Sequence, residues 1–380
     1  MKRPLRSCFN PKDSGVIFTL ALAFIIGFST LEEFFFFLPA SPFIPLLLTQ
    51  AAIILSCVVY CMGSRIDFVR SIRVSGRLRT GHAAVSAVIG LSMMFALIIP
   101  VLAFIELLKS IGFVSPELDI KIVTVKDLVL GLIFIALVPA VCEEILFRGI
   151  VLQGLRRFGD IFAVGMSALL FTLLHTNPEQ TLYPLLSGIV MGLAFIKTGD
   201  LKYPILIHFL NNALSVVLDF VYNNLGQWGY PVVEEAGVLL GLTQAEFVIA
   251  GACAVIFALC IFYLARQKTV TYHEPQPLIF KSLPPSAYQD SAPDIFFESA
   301  NPLQYLMGHG FKYDLSKDIF VLPGGGDLRI QPPPGFADVS ENPVYNPYYT
   351  KKSKFFLWAL PGIIICVGLW LFVFLFPAAL

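Results

Sequence analysis

Charged residues are scarce in this chain of 380 residues. Asp, Glu, Lys and Arg make up 14% of it, while 57% of the residues are hydrophobic and the mean hydropathy is +0.77. About a quarter of the residues of an ordinary soluble domain are charged, so the composition excludes that class. Basic and acidic residues are equal in number, at 26 each, and this balance gives no sign of a nucleic-acid partner. The sequence indicates a protein that lies in a lipid bilayer.

Cysteine motifs for metals or disulfides are also missing. The seven cysteines lie mostly inside apolar segments, where a thiol behaves as a small hydrophobic side chain, and no CxxC pair occurs. The HExxH zinc-binding helix is absent too. We therefore expect neither a disulfide framework nor a cysteine-based metal site.

Long apolar runs, by contrast, are frequent. A helix needs about 20 apolar residues to cross the hydrocarbon layer of a bilayer. Nine runs come near this length, and they predict an all-α, polytopic membrane protein with eight to nine transmembrane helices. The predicted spans are residues 16–38, 43–63, 83–107, 127–149, 160–176, 182–198, 203–224, 245–265 and 355–378.

The segment between the last two spans is hydrophilic. Residues 266–354 are rich in Pro, Gly, Ser and aromatic residues, which predicts a loop-rich linker with at most short strands such as 318–322. Lys and Arg are concentrated in alternate connections between the spans, and cytoplasmic loops of membrane proteins carry such an excess. We therefore expect the N-terminus and residues 266–354 to lie on the cytoplasmic side.

Three groups of ionisable and amide side chains stand out within the apolar runs. An ionisable group costs several kcal/mol in hydrocarbon, so it usually marks a functional site. The residues are Glu143, Glu144 and Arg148 in the fourth span, His175 at the end of the fifth, and His208, Asn211 and Asn212 in the seventh.

The two acids of the fourth span lie on different faces of the predicted helix. Glu144 and Arg148 lie one turn apart and can form an ion pair, whereas Glu143 points about 100° away. Without that partner, and partly desolvated, Glu143 suits the role of a general base. The alternative is an ordinary ion pair at the end of a helix.

The histidines also have neighbours at helical spacing. His175 lies one turn after Phe171, whose ring can orient the imidazole. His208 and Asn212 are one turn apart and present two donors to one place, as an oxyanion hole requires. Taken alone, His175 would be a helix-end histidine and the second pair ordinary interhelical hydrogen bonding.

The distances along the spans set a condition for these residues to meet. Glu143 and His175 lie roughly 20 Å from the charged ends of their helices, but His208 lies only roughly 9 Å from Lys202. The seventh helix must therefore tilt, or the 199–206 loop must dip inward.

Together the motifs EExxxR, FxxxH and HxxxN follow one another in successive spans. This order resembles the CPBP family of intramembrane peptidases, which includes CAAX-protease, bacteriocin-processing and Abi-like members related to the type II CAAX prenyl endopeptidase. The resemblance covers roughly residues 125–225. It implies a four-helix catalytic core with an internal, water-filled cavity and hydrolysis of a peptide bond.

The resemblance also implies a role for each motif residue. Glu143 and His175 would activate the water, His208 and Asn212 would stabilise the oxyanion, and Glu144 with Arg148 would support the site. We expect no cofactor, because Asn is a poor zinc ligand but a good donor to an oxyanion. One Glu and two His would nevertheless supply a zinc ligand set, so a zinc-dependent peptidase is the alternative.

The expected partners are the bilayer and a membrane-associated protein or peptide substrate, with prenylated CAAX proteins as one class. We expect a multi-pass protein of a prokaryotic plasma membrane and no nucleic-acid partner; the sequence leaves the oligomeric state open. Two other functions stay open, namely a transporter or proton relay and a non-catalytic membrane scaffold. The expected division is N-terminal helices in 1–125, the core in 126–225, an eighth helix in 226–265, the hydrophilic segment in 266–354 and a last helix in 355–380.

Overall fold

The computed structural model describes residues 9–34, 42–74, 78–114, 120–225, 228, 242–270 and 353–376, together with the backbone of five strands between 276 and 331. The chain folds as two compact units. The first comprises Met1–Val270 and Ser353–Leu380, and the second comprises Thr271–Lys352.

The described part of the first unit contains nine long helices, one for each predicted span. They are α1 (Pro11–Phe34), α2 (Phe43–Ser64), α3 (Thr80–Ser110), α4 (Val125–Leu155), α5 (Asp160–Leu174), α6 (Leu182–Thr198), α7 (Lys202–Asn224), α8 (Gln244–Arg266) and α9 (Ser353–Leu375).

The lengths of these helices divide them into two groups. Within the described residues, seven are long and apolar enough to cross a membrane, whereas α5 and α6 have only 15 and 17 residues. The expected all-α, multi-pass membrane architecture is therefore confirmed for this unit, but seven of its described helices, rather than the expected eight to nine, are long enough to cross. At about 1.5 Å per residue, α5 and α6 are shorter than the hydrocarbon layer is thick.

Helix α4 carries the first motif and departs from regular α-helical geometry. It begins with a capping box in which the Thr124 hydroxyl accepts from the Asp127 backbone N–H and the Asp127 carboxylate accepts from the Thr124 N–H. Stretches of π-helix, Leu132–Leu137 and Ile145–Leu152, lie on either side of the two acids. Such wider turns are rare and are found frequently at functional sites.

Close approaches of helices set the position of α7. A Cβ atom on Gly90 of α3 would lie 2.8 Å from the Ile207 carbonyl oxygen, and one on Gly131 of α4 would lie 2.9 Å from a Val216 methyl group. Small residues allow membrane helices to approach in this way. Glycine at both positions therefore lets α7 pack directly against α3 and α4.

The connection between α6 and α7 is buried in protein. Leu201 is fully buried, Asp200 nearly so, and the Leu201 backbone N–H donates to the Arg73 carbonyl oxygen at 3.1 Å. A chain segment that leads into α3 therefore covers this loop. The start of α7 is therefore covered by protein, and the tilt or inward loop expected from the sequence stays a prediction.

The second unit contains an antiparallel sheet, which differs from the linker expected for residues 266–354. The strand expected at 318–322 is present as β4, but four further strands pair around it in the order β2-β1-β5-β4-β3. The sequence did not predict these strands because Pro, Gly and Ser are typical both of linkers and of chains that alternate short strands with turns. The strands are β1 (Gln276–Ser282), β2 (Ile295–Ser299), β3 (Lys312–Asp314), β4 (Ile319–Val321) and β5 (Asp327–Gln331).

Candidate active site

The ion pair expected on α4 is present and fully buried. Arg148 Nη1 donates to Glu144 Oε1 at 2.6 Å, and both side chains have no solvent exposure. Arg148 Nη2 donates to the Gly188 carbonyl oxygen on α6 at 3.0 Å. The guanidinium carbon also lies 4.8 Å from the centre of the Phe171 ring on α5. Arg148 therefore connects three helices as well as neutralising Glu144.

The second acid has a partner that the sequence did not suggest. Glu143 Oε1 accepts from Gln50 Nε2 of α2 at 2.9 Å, whereas Arg148 pairs with Glu144 as the helical spacing predicted. Glu143 Oε2 lies 3.9 Å from His208 Nε2. The side chain is 13% exposed, in contrast to the fully buried Glu144, so a water molecule can approach it.

His175 ends α5 with its ring oriented by the backbone. Its Nδ1 lies 2.9 Å from the Phe171 carbonyl oxygen, and a carbonyl can only accept, so Nδ1 carries the hydrogen. Nε2 of the neutral ring then has the lone pair and can accept a proton. The Phe171 ring lies edge-on to the imidazole with 4.9 Å between ring centres, as the FxxxH spacing suggested.

His208 is held by the buried carboxylate. Its Nδ1 lies 3.0 Å from Glu144 Oε1, which accepts from it when Glu144 is ionised. Nε2 faces Glu143 and can donate a hydrogen bond only when the ring is an imidazolium. The hydrogen-bond directions are thus the same in the two histidines, because each ring donates from Nδ1 to an oxygen and keeps Nε2 for a ligand of the cavity.

Asn212 belongs to a chain of side-chain hydrogen bonds on α7 and α6. The Tyr183 hydroxyl donates to Asn211 Oδ1, Asn211 Nδ2 donates to Asn212 Oδ1 at 3.3 Å, and Asn212 Nδ2 donates to the Ile135 carbonyl oxygen at 3.2 Å. This order fixes which end of the Asn212 amide is nitrogen. One amide hydrogen is used by Ile135, and the other is left for a ligand.

A cavity of about 440 Å³ joins these residues, within the range of small-ligand sites. Glu143, His175, His208 and Asn212 line it, whereas Glu144 and Arg148 lie behind its wall. Several lining side chains were not predicted from the sequence. They include Gln50, Gln180 and Tyr183, and Asn211, which was noted only as a polar residue of the span.

The side chains at this cavity do not gather into a metal site. Among the described residues, no group of three or more His, Cys, Asp or Glu is placed to hold a metal ion. Glu143, His175 and His208 have the right ligand types for zinc, but they do not form such a group in the structure. The donor set therefore does not fit zinc as it stands.

Comparison with known proteins identifies the segment that carries these residues. A family model described as type II CAAX prenyl endopeptidase Rce1-like matches residues 125–214. The membrane-embedded CAAX protease MroQ of Staphylococcus aureus (strain USA300) is 26% identical over 115 residues, which cover 28% of this chain and 47% of MroQ. The chain thus spans about half the length of the curated relative that it matches.

No solved structure matches the chain. All three motifs, from Glu143 to Asn212, fall inside the matched residues, as the resemblance of the sequence suggested. Residues 125–214 are therefore similar to the Rce1-like type II CAAX prenyl endopeptidases, which agrees with the resemblance to the CPBP family seen in the sequence.

Proposed function

We propose that this protein is an intramembrane endopeptidase that hydrolyses a peptide bond of a membrane-associated protein or peptide. The observation that carries the proposal is the convergence of Glu143, His175, His208 and Asn212, from α4, α5 and α7, on one cavity. A cavity with a base, a second proton acceptor and two hydrogen-bond donors has the components that hydrolysis of an amide needs.

Glu143 and His175 activate the water molecule in this proposal. The Glu143 carboxylate takes a proton while the water oxygen bonds to the scissile carbonyl carbon, and His175 Nε2 accepts the water's second hydrogen as a hydrogen bond. Glu143 then returns the proton to the leaving nitrogen as the carbon–nitrogen bond breaks. Proton and electron pairs balance without a metal, and we propose a metal-free reaction.

His208 and Asn212 stabilise the oxyanion. Asn212 has one amide hydrogen left, and His208 donates from Nε2 as an imidazolium. Charge balance supports that protonation state, because two carboxylates and one guanidinium leave a buried excess of one negative charge. An imidazolium brings the group to neutrality, which lowers the free-energy cost of burying it.

Glu144 and Arg148 act as positioning residues. Glu144 orients the His208 ring through Nδ1, and Arg148 neutralises Glu144 and joins α4 to α6 through the Gly188 carbonyl. Neither side chain lines the cavity. Their replacement should therefore affect stability and the geometry of His208 rather than remove a reacting group.

The family suggests prenylated CAAX-type proteins as one substrate class, in agreement with the naming of MroQ as a CAAX protease. The alternation of basic loops supports a cytoplasmic N-terminus, and we propose the plasma membrane of a prokaryote as the location.

The test compares the membrane peptides of cells that express the wild type or Glu143→Ala. An uncut precursor should accumulate with the variant, and a peptide that covers its cleavage site then serves as substrate in detergent. Glu143→Ala and His175→Ala should each lower kcat/KM at least about a hundredfold, the contribution expected of a general base. Glu106→Ala, a change at an exposed acid on α3, should leave the rate unchanged. Thermal unfolding checks that both cavity variants are folded. A folded variant with the wild-type rate would contradict the proposal.

A further inference from the structure

Gln50 lies in the cavity wall although its helix is outside the family-matched segment 125–214. It is 5% exposed, and its Nε2 donates to Glu143 Oε1 at 2.9 Å. A carboxylate oxygen can only accept, so the orientation of the Gln50 amide is determined, with nitrogen toward Glu143 and oxygen away from it.

The Gln50 carbonyl oxygen has no hydrogen-bond partner in the described part of the chain. A buried carbonyl without a partner costs free energy, and such groups in native proteins usually have a donor. The adjacent Glu143 carboxylate cannot supply that donor. The oxygen is buried beside a cavity-lining carboxylate and needs an N–H or O–H donor that the described residues do not supply.

The position of this oxygen beside the general base narrows the choice of donor. Glu143 Oε2 is on the side of His208 Nε2, where the water and the oxyanion meet, while Oε1 is the atom bonded to Gln50. A peptide that places its scissile carbonyl near the His208 side brings the adjoining backbone N–H toward the Gln50 side. That N–H is also the group that must receive the proton from Glu143.

We propose that Gln50 is a catalytic residue that accepts a hydrogen bond from the scissile N–H of the substrate while it holds Glu143 through Nε2; this inference rests on the proposed peptidase function. The Gln50 side chain forms no covalent bond and moves no proton. It orients the leaving nitrogen toward Glu143. The competing explanation is that Gln50 only joins α2 to α4, as polar residues often do between membrane helices.

The experiment compares two forms of the cleaved peptide, one with the natural amide and one with an ester at the scissile bond, which lacks the N–H. Gln50→Met keeps the length of the side chain but removes both polar ends. Its kcat/KM should fall at least about tenfold more on the amide than on the ester, the effect of losing one hydrogen bond. Ser56→Ala is the control, because Ser56 is a buried polar residue of the same helix whose hydroxyl donates to the Ile53 carbonyl oxygen and does not line the cavity; it should change both rates equally and little.

The ratio of kcat/KM on the amide to kcat/KM on the ester is measured with the same variant. Partial unfolding lowers both rates by the same factor and therefore leaves the ratio unchanged. Equal losses on the two substrates, or no loss on either, would overturn the inference while the wild-type activity still supports the peptidase. If Gln50→Met does not fold, Gln50→Glu takes its place. It keeps an acceptor oxygen, so its amide-to-ester ratio should stay within about threefold of the wild type, and a tenfold fall in that ratio would overturn the inference.

Discussion

Replacing Arg148 by Met isolates the energy of the charge buried behind the cavity. The change removes the guanidinium and keeps an unbranched apolar stem. It leaves Glu144, which has no solvent exposure, with His208 Nδ1 as its remaining hydrogen-bond partner among the contacts above. The bond to the Gly188 carbonyl and the contact with the Phe171 ring are lost as well.

The chain offers a matched control with the same i,i+4 geometry. Arg156 Nε donates to Asp160 Oδ1 at 2.7 Å, but the two side chains are 13% and 32% exposed. Breaking a fully buried pair from one side costs about 3–5 kcal/mol, because the remaining charge is left without compensation. Breaking an exposed pair costs about 1 kcal/mol or less. Arg148→Met should therefore lower the free energy of unfolding several times more than Arg156→Met.

Thermal or denaturant unfolding in detergent measures both losses. At about 2–4 °C per kcal/mol, the expected fall in Tm is roughly 10 °C for Arg148→Met and a few degrees for Arg156→Met. Adding Glu144→Leu to Arg148→Met should restore part of the stability, since it removes the uncompensated charge. Equal losses for the two arginine variants would refute the reasoning, and no recovery in the double variant would assign the loss to packing instead.

Gly188→Ala should lower the free energy of unfolding, because the new Cβ would lie 3.0 Å from Ala168 Cβ. Gly165→Ala, whose new Cβ meets nothing within 4 Å, should raise it by up to about 1 kcal/mol. Equal effects of the two variants in thermal unfolding would contradict this. Thr176 has φ of +51°, a region that costs a β-branched residue about 1–2 kcal/mol, so Thr176→Gly should be neutral or stabilising, and a clear loss would show that no strain is present. Activity should survive dialysis against a strong chelator, and activity that disappears with the metal and returns with zinc would establish a zinc peptidase.

Most of the helical framework could be predicted because each span is a local property of the chain. Every apolar run became a helix within a few residues of its predicted bounds, since length and hydropathy decide whether a segment can cross a bilayer. The pair of Glu144 and Arg148 is equally local, because residues four apart in a helix are neighbours.

The contacts between helices could not be predicted in this way. Gln50 and Glu143 are 93 residues apart, and their meeting depends on how α2 and α4 are rotated about their axes. The π-helical turns on both sides of Glu143 change that rotation, and the spacing of residues in the sequence does not predict such turns. A single glutamine in an apolar run was the available signal, and it could have been weighed like the other buried polar groups. The strand pairing of the second unit is non-local for the same reason.

The residues of the cavity wall come from two parts of the chain, and we expect one part to carry the proposed chemistry and the other to select the substrate. The motif residues come from the family-matched segment, but Leu46, Gln50 and Ile53 on α2 and Met93 on α3 complete the same cavity from outside it. A ligand that fills the cavity contacts both sides, because side chains of both line it. We therefore expect substitutions at these positions of α2 and α3 to change which peptide is cleaved, while the groups proposed to activate water stay in place.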